Sequence, residues 1–160
     1  MDPSSYDYTI LFNAARQGDM ALLEQCLKEN PKVNICDARG YTPLIVASYN
    51  GQYAACHLLI AAGADVNVQD TGGNTALMGV CFKGYPQIAE LLLANGADCN
   101  LQHGNGGTAL MFAAMFGRND LIGVLLKHGA DTSIREFRGL TARELAEQQG
   151  NEAGASLLAG

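Results

Sequence analysis

Glycine recurs through this chain at a fixed spacing of 33 residues. Three glycine series share one register, and each member of the first is followed two places later by threonine: Gly40, Gly73, Gly106 and Gly139; Gly51, Gly84, Gly117 and Gly150; and Gly63, Gly96 and Gly129. A repeat of this length indicates that each unit is one supersecondary element, which cannot bury its apolar face alone. The spacing therefore predicts a stack of similar units that share one core.

The residues of one unit predict two helices. Thr42 suits the N-cap of a first helix over 43–49, because its hydroxyl can accept a backbone N–H and proline follows at the first helical position. Gly51 should end that helix in the left-handed conformation, and a second helix over 52–62 should end at Gly63. We expect the second helix to bury Ala55, Leu58 and Leu59, its apolar positions.

Four short stretches carry a family resemblance. They are GYTPL at 40–44, GADVN at 63–67, GADCN at 96–100 and GAD at 129–131. These stretches resemble the ankyrin repeat, in which a turn and two helices fill the same period. The resemblance implies an all-α ankyrin repeat solenoid of about five helix-turn-helix units, with β-hairpin-like fingers such as the one over 67–73.

The repeats account for one domain over residues 1–160. Its repeats run over about 4–36, 37–69, 70–102, 103–135 and 136–160. The two end units depart from the pattern, because Asn30-Pro31-Lys32 replaces Gly-Ala-Asp in the first, and Arg143-Glu144 replaces an apolar pair in the last. Polar substitutions of this kind are typical of capping repeats, whose outer faces meet water.

Charge and hydropathy limit the possible partners. A net charge of −6 argues against the phosphates of a nucleic acid and against an anionic membrane. The apolar run over 54–64 is too short to cross a bilayer, which takes ~20 apolar residues. Residues 1–5 lack the basic and apolar regions of a secretory signal, so we expect a cytoplasmic protein, although a chain trimmed of its signal would look the same.

The five cysteines lie at spacings that contain no CxxC pair: Cys26, Cys36, Cys56, Cys81 and Cys99. An odd number in this arrangement argues against a disulfide framework and against a zinc site. Cys26 and Cys56 occupy the register of apolar residues and should fill the core. We expect all five to be reduced.

Catalytic residues are not evident. The three histidines fall at unrelated repeat positions, so no Cys-His or Ser-His pair follows from the register. His57 and His128 should face solvent, while His103 replaces an aspartate in a finger. The stretch GNGG at 104–107 is not followed by Lys-Ser or Lys-Thr, which excludes a phosphate loop. We therefore expect no enzyme, no bound metal and no cofactor.

The family resemblance places the partner site on the concave face, built from finger tips and the exposed sides of the first helices. Carried onto this sequence, that face contains Tyr41, Tyr49, Asn74, Phe82, Lys83, Met115, Phe116, Phe137 and Arg138. Tyr49, Phe82 and Met115 come from successive repeats and should form one apolar stripe. Contiguous apolar patches of this kind are typical of interface centres. The alternative is that these side chains pack against neighbouring helices.

Two classes of function follow from the resemblance. The first is a protein-interaction module, acting as an inhibitor, an immunity-type protein or a scaffold. Its partner would be another protein with an apolar, neutral to basic surface, bound by a monomer. The alternative is an accessory to a redox or haem enzyme such as catalase, since segments 75–84 and 108–117 resemble small free-standing bacterial ankyrin proteins. Haem contact would require Tyr41, Tyr49, Cys81 or a histidine as the iron ligand.

Overall fold

Each repeat folds into a pair of short helices joined by a tight turn. The computed structural model describes residues 7–160, and over that range it contains ten helices and no strand: α1 (Thr9–Gln17), α2 (Met20–Glu29), α3 (Pro43–Tyr49), α4 (Tyr53–Ala61), α5 (Ala76–Lys83), α6 (Pro86–Ala94), α7 (Ala109–Met115), α8 (Asn119–Lys127), α9 (Ala142–Gln148) and α10 (Glu152–Leu157). The predicted all-α solenoid is confirmed. Residues 4–6 of the first repeat, and residues 1–5 of the signal-peptide argument, lie outside the described residues.

Threonine begins four of the five first helices. The hydroxyl oxygens of Thr42, Thr75, Thr108 and Thr141 each accept the backbone N–H three residues on. Such a cap satisfies one of the N–H groups that a helix start leaves without a partner, and it stabilises the helix by ~1 kcal/mol. At α5 the sulfur of Met78 also accepts the Thr75 N–H at 3.5 Å. Met78 therefore contacts the helix start in the register where many ankyrin repeats carry histidine.

Glycines with positive φ end the helices. Gly51, after α3, has φ +73°, and the glycines after the three central second helices, Gly63, Gly96 and Gly129, have φ +98°, +91° and +84°. These values confirm the left-handed conformations predicted from the spacing. Only glycine adopts this region without steric cost, so backbone geometry explains why glycine recurs at these positions.

The core is a continuous stack of these helix pairs. Helices α1, α3, α5, α7 and α9 contact one another in order, and α2, α4, α6, α8 and α10 form a second row behind them. Ala47, Ala113 and Ala146 are fully buried where the first helices approach. Cys26 and Cys56 are buried as predicted, and so are Ala55 and Leu59, whereas Leu58 is only half-buried at the edge of the core. Each repeat therefore completes the core of its neighbours.

The fingers are hydrogen-bonded turns. In the finger over 67–73, Asp70 N–H donates to the carbonyl of the following Asn74 at 2.9 Å and Gly73 N–H donates to the Asp70 carbonyl at 2.9 Å. Each finger is also bonded to the next: Thr71 N–H to Arg39 O at 3.0 Å, Gly104 N–H to Gly72 O at 2.9 Å and Phe137 N–H to Asn105 O at 2.9 Å. The predicted hairpin-like fingers are thus turns without a strand in the described chain, tied into one row.

A ladder of asparagines that was not predicted from the sequence joins successive repeats. Asn67 Nδ2 donates to the Gly96 carbonyl at 3.0 Å, and its Oδ1 accepts the Asp98 N–H at 2.8 Å. Asn34 makes the equivalent pair with the following repeat, and Asn100 accepts the Asp131 N–H at 2.8 Å. The spacing of 33 between these asparagines was the signal available in the sequence.

Candidate partner-binding face

Two cavities lie where the first helices meet the fingers, on the face predicted to be concave. The first cavity encloses about 560 Å³, and its lining comes from the first four repeats and their fingers: Arg16, Arg39, Tyr41, Ile45, Val46, Tyr49, Asn50, Asp70, Asn74, Thr75, Ala76, Met78, Gly79, Phe82 and Phe112. Its walls combine apolar side chains with polar groups from the fingers and from Arg16 and Asn50 at the ends of α1 and α3. Such a lining is typical of a recognition surface.

The second cavity lies further along the same face. It encloses about 420 Å³ and is lined by His103, Asn105, Gly107, Met111, Phe112, Met115, Phe116, Glu136, Phe137, Arg138 and Leu145. Phe112 lines both cavities, so they adjoin. We refer to the two cavities together as the groove. It runs from the end of α1 to the finger that precedes α9.

Three aromatic side chains from successive repeats form a contiguous row along the groove. The ring centroids of Tyr49 and Phe82 are 6.3 Å apart with planes only 6° from parallel, and those of Phe82 and Phe116 are 4.7 Å apart in an edge-to-face arrangement. The exposed fractions are 44%, 36% and 45% for Tyr49, Phe82 and Phe116. Met115 is half-buried in the second cavity and packs against the core. We call Tyr49, Phe82 and Phe116 the aromatic row.

Charged groups lie at the edges of this row. The Lys83 ammonium is 5.1 Å from the centroid of the Tyr49 ring, a cation–π contact. Arg138 Nε donates to Glu136 Oε2 at 3.1 Å. Partial burial raises the pKa of Glu136, but the Leu140 and Arg138 N–H groups and the Arg138 charge outweigh it, so the net pKa is lowered. Phe137, between these two residues, is 82% exposed.

The remaining predicted site residues, Tyr41 and Asn74, belong to the fingers and line the first cavity. Their positions are set by aspartates: Asp37 Oδ1 accepts the Tyr41 N–H at 3.0 Å, and Asp70 Oδ1 accepts the Asn74 N–H at 2.9 Å. Both carboxylates are engaged by their own turns. They therefore orient the fingers, and Asp70 also accepts the Asn74 side-chain amide, with Asn74 Nδ2 3.3 Å from Oδ1.

The histidines do not form a common site. His57 is exposed on α4, as predicted. His128 was expected only to face solvent, but its Nε2 is 3.0 Å from Glu90 Oε2 in the preceding repeat. His103 packs against Phe112 with ring centroids 5.1 Å apart, and its Nδ1 accepts the Asn105 N–H at 3.4 Å. Within residues 7–160, no three His, Cys, Asp or Glu side chains converge as metal ligands.

All five cysteines are free thiols, and four are buried. Burial raises the pKa of Cys56 to about 11, although a hydrogen bond with Ser48 opposes the rise, and burial likewise raises the pKa of Cys81 and Cys99. Cys81 has no exposed surface, so it cannot ligate an iron bound in the groove. Of the predicted haem ligands, Tyr41 and Tyr49 do line the first cavity.

These observations define a helical repeat solenoid with an apolar groove along its fingers. A family model described as ankyrin repeats (3 copies) matches residues 2–70 and 77–160, and one described as ankyrin repeats (many copies) matches residues 51–93. The chain belongs to the ankyrin repeat family. A search of curated proteins found no significant match.

Ankyrin repeats are generally protein–protein interaction modules, and the proteins built from them are typically non-enzymatic. The family therefore indicates a protein partner. Across the described part of the chain, no helix has both the length and the apolar content that crossing a bilayer requires.

Proposed function

We propose that this protein binds another protein through the groove, as an inhibitor, an immunity-type protein or a scaffold. The observation that supports the proposal most directly is the aromatic row, in which the Phe82 ring lies between those of Tyr49 and Phe116 and the three side chains still expose 36–45% of their surface. Large exposed aromatics that lie together in a cavity are typical of the few residues that dominate an interface. Of the nine residues proposed from the sequence, eight line one of the two cavities and Lys83 lies over the Tyr49 ring, which supports the proposal.

The composition of the groove supports a partner that buries apolar surface there. The Asp70 and Glu136 carboxylates in its lining are held by hydrogen bonds within the fingers. The net charge of −6 acts at longer range and favours a partner with a neutral to basic surface. In this proposal the charge speeds the encounter, and the aromatic row supplies most of the binding energy.

Parallel affinity purification with three immobilised forms of the chain tests the proposal. The forms are the wild type, Phe82→Ala in the aromatic row, and Tyr53→Ala, which removes an aromatic ring with 45% exposure from α4, outside the groove. We expect a specific partner to be retained by the wild type and Tyr53→Ala and lost from Phe82→Ala. A partner retained by Phe82→Ala and lost from Tyr53→Ala would place the site on the second row of helices.

A further inference from the structure

Asparagine is followed by glycine at three places in this chain, Asn50–Gly51, Asn95–Gly96 and Asn105–Gly106. In this dipeptide the backbone nitrogen of glycine can attack the asparagine side-chain carbonyl, because glycine has no Cβ to obstruct the approach. Asn50 and Asn95 are the C-cap residues of α3 and α6. Asn105 lies at the tip of a finger. The same dipeptide thus occurs in two different structural settings.

The two helix-end asparagines are held away from the reactive geometry. Asn50 Nδ2 donates to the Val46 carbonyl at 2.8 Å, and Asn95 Nδ2 donates to the Leu91 carbonyl at 2.8 Å. Each bond directs the side chain back along its own helix, whereas the attacking nitrogen belongs to the next residue in the chain. The reaction at these two positions therefore requires the side-chain bond to break first.

The Asn105 side chain is free of such a bond. It is exposed and makes no hydrogen bond within the described residues. Its backbone N–H is bonded to His103 Nδ1 and its carbonyl to Phe137 N–H, so only the side chain can rotate freely. Asn105 is followed by Gly106 and Gly107, and neither adds a side chain that would hinder rotation about the reacting bonds.

The glycine N–H donates a hydrogen bond at all three sites, so this hydrogen bond does not protect one asparagine more than the others. Gly51 N–H donates to Ser48 O at 3.2 Å, Gly96 N–H to Leu93 O at 3.2 Å and Gly106 N–H to His103 O at 2.7 Å. The shorter contact at Gly106 opposes the reaction, and Gly106 is itself buried, but the turn that this bond closes lies in a finger, beside the exposed Asn105. Opening this turn unwinds no helix, whereas the nitrogens of Gly51 and Gly96 are bonded to carbonyls in the last turns of α3 and α6.

We propose that Asn105–Gly106 is a site of spontaneous deamidation in this protein. The Gly106 nitrogen loses its proton and bonds to Cγ of Asn105, the Cγ–Nδ2 bond breaks, and ammonia leaves, giving a five-membered succinimide. Water then opens the ring at either carbonyl. One product is aspartate, and the other is isoaspartate, in which the main chain runs through the former side chain. No oxidant or reductant takes part.

The reaction changes the groove. Asn105 lines the second cavity together with Phe116 and Phe137, and its carbonyl accepts the Phe137 N–H at 2.9 Å. Both products add a negative charge there, and isoaspartate also lengthens the main chain within the turn. The expected effect on partner binding rests on the proposed function, whereas the deamidation itself does not. Experiment can therefore disprove the deamidation and its effect on partner binding separately.

Peptide mapping by mass spectrometry tests this proposal on the full-length protein. The folded chain is incubated in mildly alkaline buffer, and conversion is followed at all three asparagines, with isoaspartate confirmed by isoaspartyl methyltransferase labelling. We expect Asn105 to convert at least about tenfold faster than Asn50 or Asn95, which corresponds to ~1.4 kcal/mol in the barrier. In denaturant the three rates should converge, because the dipeptide is the same.

An Asn105→Gln variant provides the matched control, because the longer side chain forms the cyclic intermediate far more slowly. It should lose the fast conversion while Asn50 and Asn95 behave as in the wild type. Three outcomes would overturn the proposal. They are equal rates at the three sites in the folded protein, faster conversion at a helix end, or no conversion at Asn105 under conditions where the denatured chain reacts.

Discussion

The glycines of this chain differ in what a side chain at each position would contact. Gly73 and Gly96 both have positive φ, +84° and +91°. A Cβ on Gly73 would lie 3.0 Å from the Gly104 nitrogen and the His103 Cα of the next finger, whereas a Cβ on Gly96 would meet nothing within 4 Å. The first position therefore combines backbone strain with a clash against another repeat. The second involves strain alone.

We expect Gly96→Ala to lower the free energy of unfolding by ~1 kcal/mol, the usual effect of a side chain in the left-handed region. Gly73→Ala should lower it by more, because the neighbouring finger must also move. Urea denaturation of both variants against the wild type measures the difference. Equal losses of unfolding free energy would mean that the neighbouring finger moves at no cost. That result would conflict with the hydrogen bonds that join the fingers.

Cys36 occupies a repeat position at which a glutamine side chain, in a later repeat, bonds one finger to the next. Gln69 and Gln102 stand there in the following repeats, and Gln69 Nε2 donates to the Gln102 carbonyl at 3.1 Å. Cysteine cannot span that distance, so the first junction lacks this contact and the thiol is exposed. The other four thiols are buried in the stack.

A thiol reagent should therefore modify Cys36 first. Burial raises the pKa of Cys56, Cys81 and Cys99, so these groups carry less thiolate at neutral pH and react still more slowly. Mass spectrometry after brief alkylation of the native protein identifies the site. Modification of a buried cysteine before Cys36 would contradict this order of reaction, and an intramolecular disulfide would contradict the five free thiols.

At the scale of the element, junctions between repeats depend on a few side chains that reach across. Asn67 makes two such bonds, to Gly96 O and from Asp98 N–H. The Asn95 side chain, by contrast, bonds within residues 7–160 only to the Leu91 carbonyl of its own helix. The two asparagines therefore allow a contact between repeats to be compared with a contact inside one.

Asn67→Ala should lower the free energy of unfolding by about 1–2 kcal/mol, since two bonds are lost and the Gly96 and Asp98 backbone groups are left to water. Asn95→Ala should have a smaller effect, because one local bond is lost. Thermal and urea unfolding measure the loss of stability in each of the two variants. A larger loss for Asn95→Ala would show that the helix cap matters more than the junction.

The sequence was sufficient for features that depend on local chemistry. Helix α3 begins at Pro43 after its Thr42 cap and ends at Tyr49 as predicted, because capping and glycine conformation are decided within a few residues. The asparagine ladder and the His128–Glu90 contact were missed, since each joins residues about one repeat apart. The predicted stripe of Tyr49, Phe82 and Met115 depended on side-chain direction. At the end of α7 it is the Phe116 ring that touches Phe82.

At the scale of the whole molecule, the aromatic row lies at the ends of three neighbouring first helices, α3, α5 and α7. Phe82 lies between Tyr49 and Phe116, and its side chain belongs to α5, which contacts α3 and α7 on either side. A partner would therefore meet rings already held in place, and little conformational entropy would be lost on binding. Because Phe82 is only 36% exposed, truncating it also removes packing, so stability and binding must be measured separately.

We expect Phe82→Ala to weaken binding of the partner by ~2 kcal/mol or more, since interface energy concentrates in a few central aromatic side chains. His57→Ala and Tyr53→Ala, both on exposed positions of α4, should leave affinity nearly unchanged. Calorimetric titration of each variant measures the affinity, after its melting curve has established the fraction folded. If Phe82 only fills space in the stack, the variant will melt earlier while its folded molecules bind as tightly as the wild type. A loss of affinity confined to the α4 variants would instead place the partner on the second row of helices.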